Sequence, residues 1–315
     1  MAFEPGRKRG ARARLPWNFS GYRRPGYHDA VTRRAWLGVG SIATAVAIAM
    51  LLLRGTTSDA PAVAATGWPS PSFQLHPKAP VFPDGFGMRR VYVDAGHGAE
   101  GNTGNLSAFC EDEQDFTLRA AIRLASRLES TGRFEARVSR MDGAASYPER
   151  VRAAQEWGAD AFVSVHSDVR GNAGVWSPRK GQRCPKADSG VGFAVLYSDE
   201  GSPELVEGRG RLARHVAVEL ASAGFVAYGG NEYGQVYAAA QDRDGVFVDR
   251  HAMDKRIFVL RRTSMPAVIL ETHNALHAVE ALRWTEDETL EAMSAAIASA
   301  LASALAEARG LSAQR

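Results

Sequence analysis

The sequence predicts an α/β fold with a mainly parallel twisted sheet and helices on both faces, forming a single domain over residues 86–309. Strand-like and helix-like segments alternate along this region, as expected where crossover helices join parallel strands. The strand-like segments are short, continuous runs of β-branched and other apolar residues, which is typical of strands buried on both faces. Together these observations favour a sheet covered by helices on each side.

The individual elements follow from these patterns. Strands are predicted at 89–94, 134–139, 161–165, 191–197 and 267–271, with a further candidate at 256–260, and helices at 113–130, 147–157, 203–223 and 286–308. In the first helix, apolar residues recur at every fourth position from Phe116 to Leu128, so one face of it needs a sheet to cover. Residues 170–190 and 228–254 depart from the alternation. Such long loops usually shape or gate a cleft, although the first could be a plain surface insertion.

The first 85 residues do not show the pattern of a folded domain. Residues 1–34 form a basic tail, residues 35–53 hold no charged side chain, and residues 54–85 are rich in Pro, Ala and Ser. The apolar segment is close to the roughly 20 residues that cross a bilayer, so it is an export signal or a membrane anchor. Residues 54–85 are predicted to be an extended linker, because this composition buries too little apolar surface to offset the entropy of ordering.

The start of the apolar segment resembles a twin-arginine export signal, with Arg33 and Arg34 preceding the uncharged run. Ala62-Val63-Ala64 offers a small-residue cleavage site. Without cleavage, residues 35–53 would stay in the membrane with their basic end inside. Both alternatives place the rest of the chain outside the cytoplasm, in the periplasm or cell envelope, or anchored to the inner membrane.

Charge and cysteine content limit the partners. Residues 1–54 hold 10 basic and 2 acidic residues, which leaves 28 basic and 33 acidic residues, a net −5, for the rest of the chain. Nucleic-acid-binding domains need a basic surface, so no nucleic-acid partner is expected. Cys110 and Cys184 are the only cysteines. They could form one disulfide in an exported domain or remain reduced.

Three predicted strands end at side chains that bind metals or transfer protons. His97 follows the first strand, His166 follows the third, and Glu271 ends the last. Open α/β sheets bind ligands beyond the carboxyl ends of their strands, so these side chains could meet at one edge. Two imidazoles and a carboxylate in that position suggest a metal-assisted hydrolase.

A catalytic zinc site takes three protein ligands and keeps a fourth position for water, so a further ligand is needed beside the two histidines. The candidates by position are Glu100, Glu111, Asp112, Glu113 and Asp115. Glu113 opens the first helix, where it could instead complement the helix dipole, and spacing alone favours it only slightly over Glu111.

Each site residue also has a structural interpretation. A histidine at a strand end is often a hydrogen-bonded core residue, and Glu271 could be a buried partner of Arg262. His273 and His277 lie near enough in sequence for a second metal, but we expect surface or supporting roles for them.

Four motifs occur in the order found in zinc-dependent N-acetylmuramoyl-L-alanine amidases of the family 3 type, which the sequence resembles over roughly residues 89–305. They are Val93-Asp94-Ala95-Gly96-His97-Gly98, Glu113-Gln114-Asp115-Phe116-Thr117-Leu118, the segment from Val138 through Glu149-Arg150 to His166-Ser167, and the segment from Val259 to Thr272. The order of all four is far more specific than any one motif.

The resemblance implies that His97, Glu113 and His166 bind zinc and that Glu271 is the catalytic carboxylate. It also implies cleavage, in peptidoglycan, of the amide between N-acetylmuramic acid and the L-alanine of the stem peptide, during wall remodelling or cell separation. The sequence departs from the family where Asp168 replaces the usual Asn, and in residues 272–277 after the catalytic Glu. The second departure puts local substrate contacts in question.

Two other functions stay open at this point. The chain could be a zinc peptidase or carboxypeptidase that cuts the stem peptide, or a catalytically silent domain that binds cell wall or regulates a partner. The family resemblance also raises the hypothesis that residues 170–190 or 228–254 cover the zinc until a protein activator relieves them. The sequence has no Gly-x-Ser-x-Gly elbow, phosphate loop or spaced-glycine dinucleotide motif, which argues against serine-hydrolase and nucleotide chemistry.

Overall fold

The structure is a computed structural model that describes residues 67–141 and 145–311. The basic tail 1–34, the apolar segment 35–53 and residues 54–66 of the predicted linker lie outside the described residues. The strands are β1 (Arg89–Ala95), β2 (Phe134–Val138), β3 (Ala161–Asp168), β4 (Gly174–Trp176), β5 (Cys184–Lys186), β6 (Ala194–Tyr197), β7 (Tyr237–Ala239), β8 (Val246–Asp249) and β9 (Ala267–Asn274). The helices are α1 (Glu113–Ser130), α2 (Tyr147–Trp157), α3 (Pro203–Ala223), α4 (Phe258–Arg262), α5 (Ala278–Arg283) and α6 (Asp287–Glu307).

Seven strands form one twisted sheet in the order β2-β1-β3-β9-β6-β8-β7. β2, β1, β3 and β9 are parallel to one another, whereas β6 is antiparallel to β9, and β7 is antiparallel to β8. The central strands β1, β3 and β9 are almost wholly buried. The predicted mainly parallel sheet is therefore confirmed, and the carboxyl ends of these three strands meet at one edge.

Helices cover both faces of the sheet, as predicted. α1, α3 and α6 pack on one face, where their apolar side chains join those of the central strands in the larger core. α2 and α4 pack on the other face around Phe162 and Leu260. By length and hydropathy α6 could span a membrane, but 89% of its apolar window is buried inside the domain. Here α6 is a core helix.

The predicted elements need three corrections. Residues 256–260 are not a strand, because α4 begins at Phe258 and turns Val259 and Leu260 into the core. Short apolar runs fit buried strands and buried helices equally well. The stretch 170–190 contains the β4–β5 hairpin, and 228–254 contains β7 and β8, which extend the sheet. These strands and α5 are too short to show a period in the sequence.

The described part of the predicted linker, residues 67–85, packs against the domain. Trp68 is buried, and its Nε1 donates a hydrogen bond to the buried carboxylate of Glu280 at 3.1 Å. Arg283 donates to the carbonyl oxygen of Pro71 at 3.1 Å. The linker prediction is wrong for these residues. A few large apolar side chains are enough to hold such a segment against the domain when a neighbouring surface receives them.

Cys110 and Cys184 form a disulfide, with their Cα atoms 5.2 Å apart and their positions 74 apart in sequence. Closing a loop of this length stabilises the fold by about 4 kcal/mol in the chain-entropy model. The bond joins β5 to the loop that leads into α1 at Glu113. It therefore ties the hairpin to one of the predicted ligand-bearing segments.

Candidate metal centre

The first histidine lies on a tight loop that leaves the carboxyl end of β1. His97 has φ of 57°, in the left-handed region that residues with side chains rarely adopt. The preceding Gly96 leaves no room for a side chain, since a Cβ there would lie 2.5 Å from the ring of His166. The glycine thus lets the two imidazole rings approach to 4.8 Å between centroids.

Glu113 lies between the two histidines as the first residue of α1. Its Oε2 is 3.0 Å from Nε2 of His97, and its Oε1 is 3.2 Å from Nδ1 of His166. One ligand atom from each residue lies within 4.8 Å of the other two, so the structure brings together all three predicted ligands as a candidate metal site. Two imidazole nitrogens and a carboxylate oxygen are a donor set that divalent transition metals accept.

The electrostatics of the group also suit a cation. Burial works against a charge on Glu113, but hydrogen bonds from His166 and His97 outweigh it and hold the pKa of Glu113 well below its usual range. Burial likewise opposes a charge on His97, yet its contact with Glu113 raises its pKa above the ordinary value. Glu113 therefore supplies a buried negative charge between two ligand nitrogens.

Two asparagines that the sequence analysis missed support the ligands. Oδ1 of Asn102 lies 2.9 Å from Nδ1 of His97, which directs Nε2 toward Glu113, and Nδ2 of Asn102 donates to the hydroxyl of Tyr147 at 2.9 Å. Asn105 donates to Oε2 of Glu113 from its backbone nitrogen at 3.0 Å and from Nδ2 at 2.8 Å. Their only signal in the sequence is their position between the first histidine and Glu113.

A buried ion pair holds the His97 loop in place. Nη1 of Arg150 lies 3.0 Å from Oδ1 of Asp94, and both side chains are almost fully buried. The same guanidinium donates to the carbonyl oxygens of Ala95, at 2.9 Å, and of His97. Ser164 donates to the other oxygen of Asp94 at 2.6 Å. Removal of either partner would leave a buried charge uncompensated. The cluster therefore stabilises the arrangement of β1, β3 and α2 around the His97 loop.

Glu271 lies opposite His166 in the register between β3 and β9, so both side chains project from the same face of the sheet. Its Oε2 is buried and accepts no hydrogen bond within the described part of the chain. Burial, reinforced by the negative charges of Asp168 and Glu113, raises the pKa of Glu271 well above its ordinary value. A buried carboxyl group beside a candidate cation site is suited to accepting and returning a proton.

The alternative partner of Glu271 does not lie near it. Arg262 is exposed at the end of α4, before β9 begins, whereas Glu271 is the fifth residue of that strand. No ion pair joins the two side chains among the residues that the structure describes. The structure therefore gives no support to a purely structural pairing of Glu271 with Arg262.

Asp168, the residue that departs from the family pattern, accepts hydrogen bonds on Oδ2 from Nε of Arg170 and from the hydroxyl of Tyr233, each at 2.8 Å. The guanidinium of Arg170 lies 4.0 Å from the ring centroid of Tyr228 and donates to the carbonyl oxygen of Gly190 at 3.1 Å. Burial raises the pKa of Tyr233 far above its ordinary value, so its hydroxyl remains a donor. We call Asp168, Arg170, Tyr228 and Tyr233 the Asp168 network. It joins β3 to both irregular segments.

The remaining sequence candidates lie outside the group of three. Glu111 pairs with Arg119, Asp112 precedes α1 without a capping hydrogen bond from its side chain, and Glu100 and Asp115 are exposed. His273 is fully buried, stacks on Trp284, and has its pKa lowered by burial to about 3. His277 accepts a hydrogen bond from the backbone of Glu280 at the start of α5. These histidines support the fold around the described site.

A family model described as N-acetylmuramoyl-L-alanine amidase matches residues 91–303. The chain belongs to this family. Over 192 residues it is 27% identical to a sporulation-specific N-acetylmuramoyl-L-alanine amidase of Bacillus subtilis, covering 58% of this chain and 55% of that protein. It is 33% identical over 91 residues to the N-acetylmuramoyl-L-alanine amidase CwlM of Bacillus licheniformis, covering 28% of this chain and 34% of that protein. The match spans about half of the first relative and a third of the second.

Solved structures of family members share the fold. The amidase Ami1 of Mycobacterium smegmatis superposes with a TM-score of 0.55 at 20% identity, covering 70% of this chain and 99% of that one. An amidase of Clostridium difficile 630 gives 0.52 at 22% identity, covering 69% and 96%. At these identities the likeness establishes the α/β architecture and leaves the chemistry to the site residues.

Proposed function

We propose that this chain is a zinc-dependent N-acetylmuramoyl-L-alanine amidase that cleaves the amide between N-acetylmuramic acid and L-alanine in peptidoglycan. The observation that carries the proposal is the group formed by His97, Glu113 and His166, with Glu271 on the adjoining strand, in a member of this amidase family. In this proposal the first three residues are the metal ligands and Glu271 is the catalytic carboxylate.

The donor set favours zinc. Catalytic zinc sites use three protein ligands drawn from His, Glu, Asp and Cys and leave a position for water, and two histidines with one glutamate fit this pattern. When bound, zinc lowers the pKa of a bound water to about 7 and polarises the amide carbonyl. Asn102 and Asn105 support the proposal because each fixes the orientation of one ligand.

Glu271 would carry the proton in this reaction. In its ionised form it takes a proton from the attacking water, and it then delivers that proton to the nitrogen of the departing L-alanine as the amide bond breaks. Its Oε2 is free to do so, because no described residue donates a hydrogen bond to it. The raised pKa favours return of the proton, and a nearby cation would favour the ionised form at the start.

The test is mass spectrometry of the products released from purified peptidoglycan by the full-length chain loaded with zinc, beside the Glu271→Gln variant. We expect free stem peptides that begin at L-alanine and peptide-free glycan, made only by the unchanged chain. Shortened peptides still attached to glycan would contradict the amidase and indicate a peptidase. A zinc-loaded chain that yields no product would indicate a silent wall-binding domain or an inhibited state.

We further propose that the chain acts outside the cytoplasm, in cell-wall remodelling or daughter-cell separation, after export by the twin-arginine route. The support is the family's wall substrate together with the Arg33-Arg34 pair before residues 35–53. Replacing both arginines with lysine should block export while leaving the amidase domain folded and active in cell extracts. Unchanged export of that variant would rule out the twin-arginine route.

A further inference from the structure

We propose that the β4–β5 hairpin is a rigid arm that binds ionised carboxylates of peptidoglycan stem peptides through Arg179, Lys180 and Arg183. The proposal rests on the proposed function, since it concerns how the same substrate is held near the metal site. The arm comprises residues 174–186, within a segment that the sequence analysis predicted to be a loop.

The arm is attached to the loop that leads to Glu113 at the end of its ladder next to the tip, where Trp176 pairs with Cys184. The disulfide between Cys110 and Cys184 fixes β5 to this loop three residues before Glu113. On β4, Nε1 of Trp176 donates to the carbonyl oxygen of Ala108 at 2.6 Å, and the ring of Trp176 packs edge-on against Phe109 at 5.6 Å. A covalent bond, a hydrogen bond and an aromatic contact therefore hold both strands against residues 108–110, in the loop that leads to Glu113.

The tip of the arm carries three cations that the fold does not use. Arg179, Lys180 and Arg183 are exposed, and none pairs with a carboxylate within the described part of the chain. The tip is a tight turn in which Gln182 donates its backbone N–H to the carbonyl oxygen of Arg179 at 3.0 Å, with Gly181 at φ of 86°. The turn thus places three positive charges within five residues on a braced hairpin.

The arm differs in charge from the rest of the domain. Its remaining cation, Lys186, pairs with Asp188 at 2.8 Å, and Asp188 is the only acidic residue in 170–190. Everything after residue 54 has a net formal charge of −5. A local excess of positive charge on an otherwise acidic domain attracts an anionic partner to this part of the surface.

Stem-peptide carboxylates are the anions that the proposed function brings to this place. The scissile amide would lie at the metal group, and a stem peptide of five residues extends about 17 Å from it. Cys184, which borders the tip, is bonded to the residue three positions before Glu113, so the tip lies within reach of a peptide of this length. Peptidoglycan repeats these carboxylates along each glycan strand, which lets several weak contacts act together.

The test compares binding to purified peptidoglycan by two triple variants of the full-length chain, both in a Glu271→Gln background that prevents turnover. One carries R179Q, K180Q and R183Q. The control carries K78Q, R133Q and R309Q, which removes three exposed cations that are likewise unpaired in the described structure. Arg133 precedes β2 and Arg309 follows α6, so both lie near the amino ends of the parallel strands, away from the metal group at their carboxyl ends.

We expect the arm variant to bind roughly tenfold more weakly than the parent at low salt, with the difference shrinking as salt screens the charges. The control should bind as the parent does. Peptidoglycan whose carboxylates have been converted to amides should bind the parent as weakly as untreated peptidoglycan binds the arm variant. Equal binding by arm variant and control, or a loss that follows removal of wall phosphate polymers instead of amidation, would overturn the proposal.

Hydrolysis assays in the Glu271-containing chain separate this proposal from the proposed function. If the unchanged chain releases no stem peptides, the amidase assignment fails whatever the binding results. If it does release them, the arm variant should show a raised KM with kcat nearly unchanged. Faster hydrolysis by the arm variant would instead indicate that the hairpin covers the site, and would overturn the role proposed for it.

Discussion

Two regions flank Glu271, and they are built in different ways. On one side the ligand loop, residues 96–113, runs from β1 to α1 and carries two of the three ligand candidates close together in sequence. On the other side the Asp168 network joins residues more than 60 positions apart, such as Asp168 and Tyr233. The difference suggests a division of labour in which the ligand loop holds the cation and the network sets the surroundings of Glu271. Changes in the first region should alter metal binding, and changes in the second should not.

The largest expected effect is on metal content. Glu113→Gln keeps the shape of the side chain but removes the negative charge between the two histidines. We expect bound zinc to fall from about one ion per chain to almost none, with loss of hydrolysis. Metal analysis after gel filtration measures this. Asp115→Asn, an exposed carboxylate on the same turn, should retain its zinc. Stoichiometric zinc in Glu113→Gln would exclude Glu113 as a ligand.

The second largest expected effect is a loss of stability when the buried ion pair beneath the ligand loop is broken. Arg150→Met leaves Asp94 buried without its partner, which should lower the free energy of unfolding by about 3–5 kcal/mol. Arg152→Met, which removes an exposed i,i+4 pair with Glu156, should cost less than about 0.5 kcal/mol. Urea unfolding of both variants makes the comparison. Equal losses would mean that the buried pair does not anchor the loop.

A buried carboxyl group beyond the network should make stability depend on pH. Burial raises the pKa of Glu280 to about 7, although Trp68 and the backbone N–H groups of Asn274 and Gly192 donate to it. The folded state therefore holds its proton at pH values where the unfolded state has lost it. Stability from this group is complete below about pH 4.5 and is lost as the pH rises through 7, by about 3 kcal/mol.

Glu280→Gln isolates this titration, because the amide does not ionise. Relative to this variant, the parent chain should lose about 3 kcal/mol of unfolding free energy between pH 4.5 and pH 8. The zinc affinity of the variant should stay unchanged, because Glu280 lies outside the ligand loop. A stability difference that is the same at both pH values would show that Glu280 keeps an ordinary pKa.

A smaller effect on metal binding is expected from the asparagine behind His97. Asn102→Ala removes the acceptor for Nδ1 of His97 and should weaken zinc binding by about 10- to 100-fold, measured by competition with a chelator. Asn102→Asp restores an acceptor and should recover most of the affinity. If the aspartate variant binds as weakly as the alanine variant, Asn102 supports the loop in general instead of orienting His97.

The same contrast explains what the sequence could and could not predict. The strands that bear His166 and Glu271 are continuous apolar runs, and the helix that opens at Glu113 has a clear i, i+4 stripe, so these patterns located them well. Asn102 and Asn105 were missed because polar residues in a glycine-rich loop have no period. The Asp168 network was missed because its contacts exist only after β7 and β8 extend the sheet, and these strands are three and four residues long.

The buried segment at 67–85 shows a further limit. Its prolines predicted an extended chain, and it is extended, with none of the described helices or strands. Composition could not show that Trp68 would find both an aromatic cluster and the carboxylate of Glu280 on the domain. A segment is a linker only if no surface receives its apolar side chains. Here the receiving surface is formed by residues about 150 to 215 positions later in the sequence.

The smallest predicted effect tests the network directly. Tyr233→Phe removes one of the two donors to Oδ2 of Asp168 and leaves the charge of Arg170 as its remaining partner. Asp168 then loses a hydrogen bond of about 1 kcal/mol, and its negative charge acts more strongly on Glu271 across the end of β3. We expect kcat to fall by about threefold to tenfold with zinc affinity unchanged. Tyr197→Phe, on β6 and remote from Asp168, should match the parent in both measurements. A change in zinc affinity without a change in kcat would reverse the division of labour, since the network would then act on the ligands and not on Glu271.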